Sequence, residues 1–213
     1  DEYEMLLAFR RFIQEEIDPD IISGYNILNF DNVYTIQRGQ HLHSLYPESN
    51  KPELAWCWGR QLNRQCRLKK QYKFSNQKGG RESWECKIEG REFMDLFKII
   101  MDDHKLRSYK LDEVAAHFLG TRKIHISYDD IPVMQRSPEG RVKLGVYCVK
   151  DAWLPCKIAI KMAKVINAIL MSQVAGVSLD TILNRGQQIR TVALMLAKMK
   201  EREKKGHVRW LLP

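Results

Sequence analysis

The sequence predicts an α/β fold that carries a two-stranded basic ribbon and ends in a mainly helical part. Three observations support this prediction. An amphipathic helical pattern over residues 4–17 precedes a short β-branched strand that ends at Gly24. Apolar and polar residues alternate around a Gly-containing loop at residues 76–80, and helical apolar spacings fill most of residues 141–205. A helix that packs on a sheet, followed by further helices, is typical of α/β domains.

The composition is that of a globular domain with an excess of positive charge. The chain has 213 residues, 44% hydrophobic and 29% charged, so disorder or a fibrous protein is not expected. Its 35 Lys and Arg against 26 Asp and Glu give a net charge of +9, which favours a polyanionic partner. Five cysteines at irregular spacings indicate a reducing, intracellular environment rather than a secreted disulfide framework. The longest uncharged stretch, residues 165–179, is shorter than the roughly 20 residues that span a bilayer, so no membrane segment is expected.

The stretch from Asp18 to Asp31 predicts a buried strand followed by a bend. Pro19 disfavours a helix, the two isoleucines that follow are β-branched, and Gly24 is a turn residue. The bend would bring Asn26 and Asp31 to the end of a strand, and a helix is expected to follow from residue 32. An Asp at this place is also compatible with an ordinary helix N-cap.

Residues 59–81 contain eight Lys or Arg and no Asp or Glu. Aromatic residues that alternate with polar ones on both sides of residues 76–80 predict a two-stranded ribbon with a basic loop. The ribbon is either a solvated charged hairpin or a surface that contacts phosphates with help from aromatic rings. The candidate DNA-contact residues are Arg67, Lys69, Lys70, Lys73, Lys78 and Arg81.

The second half of the chain is predicted to be mainly helical. Residues 91–101 are a strand or the start of a helix, because short apolar runs do not distinguish the two. A loop with two prolines is expected over residues 126–140, and Pro155 is expected to kink or break its helix. Helical patterns cover residues 108–119, ended by Gly120, and residues 141–175 and 183–205.

A tyrosine and an aspartate lie four residues apart in the predicted helix at residues 141–175. Positions i and i+4 share a helix face, so the Tyr147 phenol and the Asp151 carboxylate can address one site. Such a pair is common in proteins, and taken by itself it favours a structural role.

Two segments, in this order, resemble family B DNA polymerases of the delta type and their relatives in large DNA viruses. Asn26-x3-Phe30-Asp31, preceded by Asp-Pro-Asp-Ile-Ile-x-Gly-Tyr, resembles the second exonuclease motif of that family. Tyr147-x3-Asp151, followed by Ala-Trp-Leu-Pro, resembles the third. The resemblance runs from about residue 5 to residue 213 and includes Gly90-Arg91 with Met94-Asp95, residues 105–120 and Arg185-Gly-Gln-Gln.

The resemblance implies an RNase H-like 3′→5′ proofreading exonuclease domain with an inserted β-hairpin, in a replicative DNA-directed DNA polymerase. Residues 1–175 would be the exonuclease domain and residues 176–213 a helical connection towards the polymerase palm. The first motif of the family, Asp-x-Glu, does not occur before Asp31. The chain is therefore expected to be a fragment that lacks the first strand of the domain and is inactive alone.

The resemblance also implies the roles of the candidate residues. Two Mg²⁺ or Mn²⁺ ions would be held by carboxylate oxygens, including those of Asp31 and Asp151. Asp151 would ligate the ion that carries the attacking water, Tyr147 would orient that water, and Asp31 would hold the second ion. Asn26 and Phe30 would lie beside the 3′-terminal nucleotide.

The expected partner is DNA, with the primer 3′ end single-stranded in the exonuclease site. For the complete polymerase, the resemblance implies dNTP substrates and a sliding clamp or other processivity factor. It also implies location in the nucleus, or at a viral replication site if the protein is viral, and the sequence does not decide between these origins. The alternative function is a non-catalytic DNA-binding remnant of such a polymerase.

Overall fold

The computed structural model of the chain describes residues 1–45, 58–61, 64, 66–75 and 79–206. They belong to two compact units, residues 1–109 and residues 110–213. The first unit is mixed α/β, and the described part of the second contains helices and connecting segments only. The predicted α/β class with a helical C-terminal part is confirmed at this level of detail.

The first unit begins with helix α1 (Glu2–Arg11), which continues as a π-helical segment, Phe12–Ile17. The Asp1 carboxylate caps α1 by accepting a hydrogen bond from Tyr3 N at 3.0 Å. Asp18 ends the π-helical segment with a left-handed φ of 43°. The helix predicted over residues 4–17 is therefore present, but its last six residues are more widely wound. Later in the described part of this unit come helix α2, Asp31–Ser44, and helix α3, Leu96–Asp103.

The described residues of the first unit contain four strands, two of four residues and two of nine. They are β1, Ile21–Gly24; β2, Arg67–Ser75; β3, Gly79–Lys87; and β4, Glu92–Asp95.

The four strands pair two by two. Strands β1 and β4 are parallel, with Gly24 opposite Asp95, and strands β2 and β3 form an antiparallel hairpin. The hairpin agrees with the predicted basic ribbon, and the ambiguous run at residues 91–101 is β4 followed at once by α3. The strand predicted to be buried, β1, is only partly buried. Among the described residues it pairs with β4 alone, so its other edge is not covered by a strand.

The core of the first unit joins the bend after β1, helix α2 and the base of the hairpin. Apolar side chains from these elements pack into one cluster, which also includes Phe93 of β4. The buried members of this cluster are Ile27, Leu28, Ile36, Trp58, Cys66, Cys86, Ile88 and Phe93. Burial of this apolar surface anchors the segment that carries Asn26 and Asp31.

The described part of the second unit is built from six helices of very different lengths. They are α4, Leu111–Leu119; α5, Ile131–Met134; α6, Pro138–Lys161; α7, Lys164–Ala175; α8, Leu179–Asn184; and α9, Gln187–Lys204. Gly120 ends α4 in a left-handed conformation with φ 69°, as its position in the sequence predicted.

The loop predicted over residues 126–140 is shorter than expected. It contains α5, and its last three residues already belong to α6. Ser137 caps α6 through its side chain, which accepts a hydrogen bond from Gly140 N at 3.0 Å. Pro138 follows at the first helical position, where its missing N–H costs no hydrogen bond. The two prolines that suggested a loop, Pro132 and Pro138, therefore both lie in the first turn of a helix.

Pro155 lies inside a continuous helix, so the predicted break or junction at this residue is wrong. It is buried within α6, and α6 continues to Lys161. A proline at this place removes only the backbone hydrogen bond to residue 151, and buried packing compensates for the loss. The junction lies instead at Ala163, whose φ is 49°, and α7 is bent from α6 by 48°.

The last predicted helix, residues 183–205, is two helices. Residue 183 belongs to α8, and α9 begins after Gly186. The predicted domain boundary after residue 175 falls between α7 and α8 and stays a prediction. Among the described helices none could span a membrane alone by length and composition, and only α6 and α7 taken together, with their bend, meet that criterion.

Candidate active site

The bend after β1 holds Asn26 in a left-handed conformation with a φ of 62°. The backbone is tight here, because a Cβ added to Gly24 would lie 2.2 Å from Ile27 Cγ2. The carboxylate of Asp95, at the end of the neighbouring strand β4, accepts hydrogen bonds from Asn26 N at 2.8 Å and Leu28 N at 3.2 Å. The bend is therefore held, through two of its backbone N–H groups, by a side chain of the adjacent strand.

The Asn26 side chain is held by a second asparagine. Asn29 Nδ2 donates a hydrogen bond to Asn26 Oδ1 at 2.9 Å. Asn29 Oδ1 in turn accepts a hydrogen bond from Trp84 N of strand β3 at 3.0 Å. Asn29 thus connects the candidate substrate-binding side chain with the hairpin.

Phe30 and Asp31 stand at the start of α2. The Phe30 ring is 67% exposed, and Asp31 is exposed on the first helical turn. The first turn of a helix carries backbone N–H groups without intrahelical partners, which favour a negative charge. Partial burial of the carboxyl raises the pKa of Asp31, and a hydrogen bond from its own backbone N–H acts against that rise.

Tyr147 and Asp151 lie four residues apart on α6, and both are half-buried. The side chain of Lys123 contacts both residues. Its Nζ donates to Asp151 Oδ2 at 3.1 Å and to the Tyr147 phenol oxygen at 3.3 Å. It also lies 5.2 Å from the centre of the Tyr147 ring. The predicted pair on one helix face is thus joined by an ammonium group into a three-residue cluster.

Lys123 is itself positioned by an aspartate. The Asp112 carboxylate accepts a hydrogen bond from Lys123 N at 2.8 Å, and its second oxygen accepts one from Arg122 at 2.8 Å. These contacts lower the pKa of Asp112, the Lys123 backbone bond most and the Arg122 side chain next. Burial alone would lower the pKa of Lys123, but its bonds to Asp151 and Tyr147 outweigh that effect and raise it.

The sequence analysis missed Lys123. It lies in a segment without regular structure, 24 residues before Tyr147, so no helical or strand period points to it. The role of Asp95 was also missed, although the residue was part of the resemblance. Its contacts with the bend span 69 residues, and a sequence pattern does not show such a distance.

The donor types fit a divalent ion of the Mg²⁺ class. Asp151 Oδ1 is buried and has no hydrogen-bond partner among the described residues, so it can serve as a hard oxygen ligand. The described residues contain no cluster of three or more His, Cys, Asp or Glu that could hold a metal ion by itself. Asp31 belongs to the first unit and Asp151 to the second.

The hairpin residues predicted to contact DNA have different surroundings. Arg67 pairs with Glu89, and Lys70 pairs with Glu82 at 2.6 Å. Lys69 is exposed and lies in register opposite Glu85, whose carboxylate accepts a hydrogen bond from Gln71. Lys78 and the side chains of Lys73 and Arg81 lie outside the described residues. Part of the positive charge of the ribbon is therefore neutralised locally.

Comparison with known proteins gives the family. A family model described as "DNA polymerase family B, exonuclease domain" matches residues 1–114, which is more than half of the chain. The chain belongs to this family. The match includes the bend with Asn26, Phe30 and Asp31, and it confirms the resemblance inferred from the two motifs.

Relatives within the family extend the match beyond residue 114. The chain is 40% identical over 202 residues to a DNA polymerase delta catalytic subunit of Oryza sativa subsp. japonica and 41% identical over 202 residues to one of Arabidopsis thaliana. It is 38% identical over 200 residues to a DNA polymerase delta catalytic subunit of Drosophila melanogaster. The matches cover 93–94% of this chain and 18% of each of these relatives. The chain thus spans less than a fifth of the length of these family members.

Proposed function

We propose that the chain forms most of the RNase H-like 3′→5′ exonuclease domain of a replicative DNA polymerase. The reaction is hydrolysis of the 3′-terminal phosphodiester of a primer strand. The observation that carries this proposal is the cluster of Tyr147, Asp151 and Lys123, in a chain whose Asn26–Asp31 segment belongs to a family B exonuclease domain. A phenol, a carboxylate with one available oxygen and an ammonium group together suit phosphodiester hydrolysis.

Lys123 determines which hydrogen-bonding role remains for the Tyr147 phenol. Since the lysine Nζ donates to the phenol oxygen, the phenol hydrogen is available for another acceptor. We assign that hydrogen to the attacking water or to a phosphate oxygen of the primer. The same ammonium holds Asp151 Oδ2 and leaves Oδ1 as the available ligand. Tyr147 therefore orients the nucleophile, and Lys123 keeps the tyrosine and the aspartate in one arrangement.

Asp31 and Asp151 would hold the divalent ions, two Mg²⁺ or Mn²⁺ in the complete site. When bound, these ions supply activation of water and stabilisation of the leaving oxygen. Further carboxylates would come from an Asp-x-Glu segment, which this sequence does not contain before Asp31. We therefore expect the 213-residue chain alone to be inactive and a longer protein that contains it to be active.

Asn26 and Phe30 would receive the 3′-terminal nucleotide. The exposed Phe30 ring offers a face on which an unpaired base can stack, and such stacking tolerates any base. The Asn26 amide lies at the bend beside it and would contact the sugar or phosphate of the same nucleotide. A site of this kind accepts a frayed single strand, which is the form in which a mismatched primer end is available.

The hairpin of β2 and β3 would be an insertion of the exonuclease domain that contacts DNA chiefly through Lys69, whereas Arg67 and Lys70 are paired with Glu89 and Glu82. Residues 1–175 would form the exonuclease domain and residues 176–213 its connection towards the palm. The complete protein would use dNTP substrates, bind a sliding clamp or other processivity factor, and act in the nucleus or at a viral replication site. Its polymerase activity is inferred from the delta catalytic subunits to which the chain is similar.

Excision by the full-length protein that contains this chain tests the proposal. A 5′-labelled primer with a mismatched 3′ end is incubated with Mg²⁺, with and without EDTA. Asp31→Ala and Asp151→Ala are each expected to lower the excision rate by about 100-fold or more, because each removes a metal-binding carboxylate. Asp129→Ala, an exposed aspartate in the segment before α5, is the matched control and should leave the rate unchanged.

Two outcomes would contradict the proposal. Binding of primer ends by the full-length protein without any Mg²⁺-dependent cutting would favour the non-catalytic DNA-binding remnant. Equal excision rates for the wild type, Asp31→Ala and Asp151→Ala would show that neither carboxylate holds a catalytic ion. Robust excision by the isolated 213-residue chain would remove only the expectation that it is inactive alone.

A further inference from the structure

Asp95 is a buried carboxylate that receives hydrogen bonds from four backbone N–H groups. It ends strand β4 and is only 4% exposed. Two of its donors are Asn26 N and Leu28 N of the bend, and the others are Phe97 N, at 3.0 Å, and Lys98 N at the start of α3. One side chain thus caps α3 and closes the bend of the neighbouring strand. Burial raises the pKa of Asp95, and these four hydrogen bonds oppose the rise.

The contacts of Asp95 fix a conformation that Asn26 would otherwise rarely adopt. A left-handed φ of 62° is sparsely populated for a residue with a side chain, although Asn tolerates it better than most residues. Asn26 N and Leu28 N donate hydrogen bonds to Asp95 from either side of the Asn26 Cα, and φ is the rotation about the N–Cα bond of this residue. If the carboxylate is lost, the buried Leu28 N–H and the partly buried Asn26 N–H lose their acceptor. The bend is then free to relax to an ordinary right-handed or extended conformation.

Relaxation of the bend would move the residues on both sides of it. The Asn26 side chain would leave Asn29, to which it is bonded at 2.9 Å. Phe30 and Asp31 would move with it, because Asn29 N and Phe30 N both donate hydrogen bonds to Asn26 O at 3.2 Å. The conformation of one residue is therefore transmitted to the whole segment that carries the candidate substrate contacts.

We infer that Asp95 is a positioning residue for excision: it holds the Asn26 bend so that Asn26 and Phe30 meet the 3′-terminal nucleotide. It does not touch the substrate, and it acts through two backbone amides and Asn26. This inference rests on the proposed exonuclease function. It differs from a purely structural role, because it predicts a loss of substrate recognition beyond what the loss of stability explains.

The test compares Asp95→Asn with a control of similar stability in the full-length protein. Asp95→Asn keeps the shape of the side chain but replaces one acceptor oxygen by a donor that faces a backbone N–H. Ile100→Val trims a fully buried residue of α3 and lowers stability without touching the bend. We expect Asp95→Asn to raise the KM for a single-stranded primer by about tenfold with a smaller change in kcat. Ile100→Val should keep the wild-type KM.

A double-mutant cycle with Asn26→Ala separates positioning from stability. If Asp95 acts through Asn26, adding Asp95→Asn to Asn26→Ala should raise the KM little further, so the two effects are not additive. Amide hydrogen exchange at residues 26 and 28 provides a readout that does not depend on activity. Both amides should lose protection in Asp95→Asn and keep it in Ile100→Val. If Asp95→Asn does not fold, Asp95→Glu, which keeps the charge but displaces the oxygens, should show the same raised KM.

The outcomes distinguish failure of this inference from failure of the proposed function. If the wild type does not excise, the proposed function fails and no KM for excision can be measured. Amide protection at residues 26 and 28 then still shows whether Asp95 holds the bend. If the wild type excises and Asp95→Asn or Asp95→Glu keeps the wild-type KM while losing amide protection, the inference about Asp95 is overturned. Fully additive effects of Asp95→Asn and Asn26→Ala on KM would also overturn it.

Discussion

In each unit an aspartate carboxylate positions the candidate residues by accepting backbone hydrogen bonds, but one carboxylate is buried and the other is partly exposed. In the first unit the buried Asp95 accepts hydrogen bonds from the backbone of the Asn26 bend. In the second unit the carboxylate of Asp112, which is partly exposed, accepts one from Lys123 N, and the lysine side chain then holds Tyr147 and Asp151. The first unit thus positions its residues through the backbone, and the second adds a charged side chain. The difference predicts which unit loses stability and which loses chemistry on substitution.

The largest expected effect is on the stability of the first unit. Asp95→Ala leaves four backbone N–H groups without their buried acceptor, and we expect it to lower the free energy of unfolding by about 3 kcal/mol. Asp112→Ala removes contacts that are open to solvent, and it should cost about 0.5–1 kcal/mol. Urea denaturation followed by circular dichroism measures both values. Equal losses for the two variants would contradict the distinction between the units.

The next effect falls on chemistry in the second unit. Lys123→Met removes the ammonium that joins Tyr147 and Asp151, and we expect it to lower the excision rate of the full-length protein by about tenfold. Stability should fall by about 1–2 kcal/mol, less than for Asp95→Ala, because the substitution leaves a carboxylate that is only about a quarter exposed without its cation. Lys143→Met, at an exposed position of α6, is the control. An unchanged excision rate in Lys123→Met would mean that the lysine is a structural partner only.

Much of the fold follows from patterns that are local in the sequence. The helix that starts at Asp31, the hairpin around residues 76–80 and the left-handed Gly120 each depend on residues within one or two turns of the chain. Pro155 shows the limit of such reasoning, because α6 continues through a buried residue that disfavours helices. The break at Ala163 is not predicted by the sequence, because neither a glycine nor a proline lies beside it.

The candidate site divides in the same way. Tyr147 and Asp151 share a helix face, and the bend with Asn26 follows directly from the strand before it, but both motifs were recognised by their resemblance to family B exonuclease motifs. Lys123 and Asp95 act across 28 and 69 residues, and only the folded chain shows what they touch. Positioning residues of this kind are set by tertiary contacts, whereas the residues they position lie in short motifs.

The two aspartates should also respond to pH with opposite signs. The folded-state pKa of Asp112 is lowered, so its stabilising contribution is complete above the unfolded value, about 3.9, and is lost as the pH falls through the folded pKa. The folded-state pKa of Asp95 is raised, so its contribution is complete below the unfolded value and declines as the pH rises through the folded pKa.

Urea denaturation between pH 3 and pH 7 checks these signs. The stability difference between the wild type and Asp112→Asn should shrink as the pH falls below about 4. The difference for Asp95→Asn should instead grow as the pH falls towards that value. Parallel pH profiles for the two variants would show that burial does not separate the two aspartates.

The smallest expected effect is on the affinity for single-stranded DNA when a lysine of the hairpin is replaced. Lys123 is part of the candidate site, whereas the cations of the hairpin lie on the first unit outside the bend. Lys70 is paired with Glu82, so Lys70→Gln should change the affinity for single-stranded DNA little. Lys69 lies opposite Glu85, whose carboxylate already accepts a bond from Gln71, so the lysine charge remains available to a phosphate.

Lys69→Gln is therefore expected to weaken binding of a single-stranded oligonucleotide about two- to threefold and to reduce the salt dependence by about 0.7 in the slope of log K against log salt. Fluorescence anisotropy at several salt concentrations measures both quantities, with Lys70→Gln as the matched control. A larger effect of Lys70→Gln would mean that DNA displaces Glu82 from its partner. In that case local neutralisation would not decide which hairpin cations contact phosphate, and the hairpin would act as one basic surface, as its sequence alone suggested.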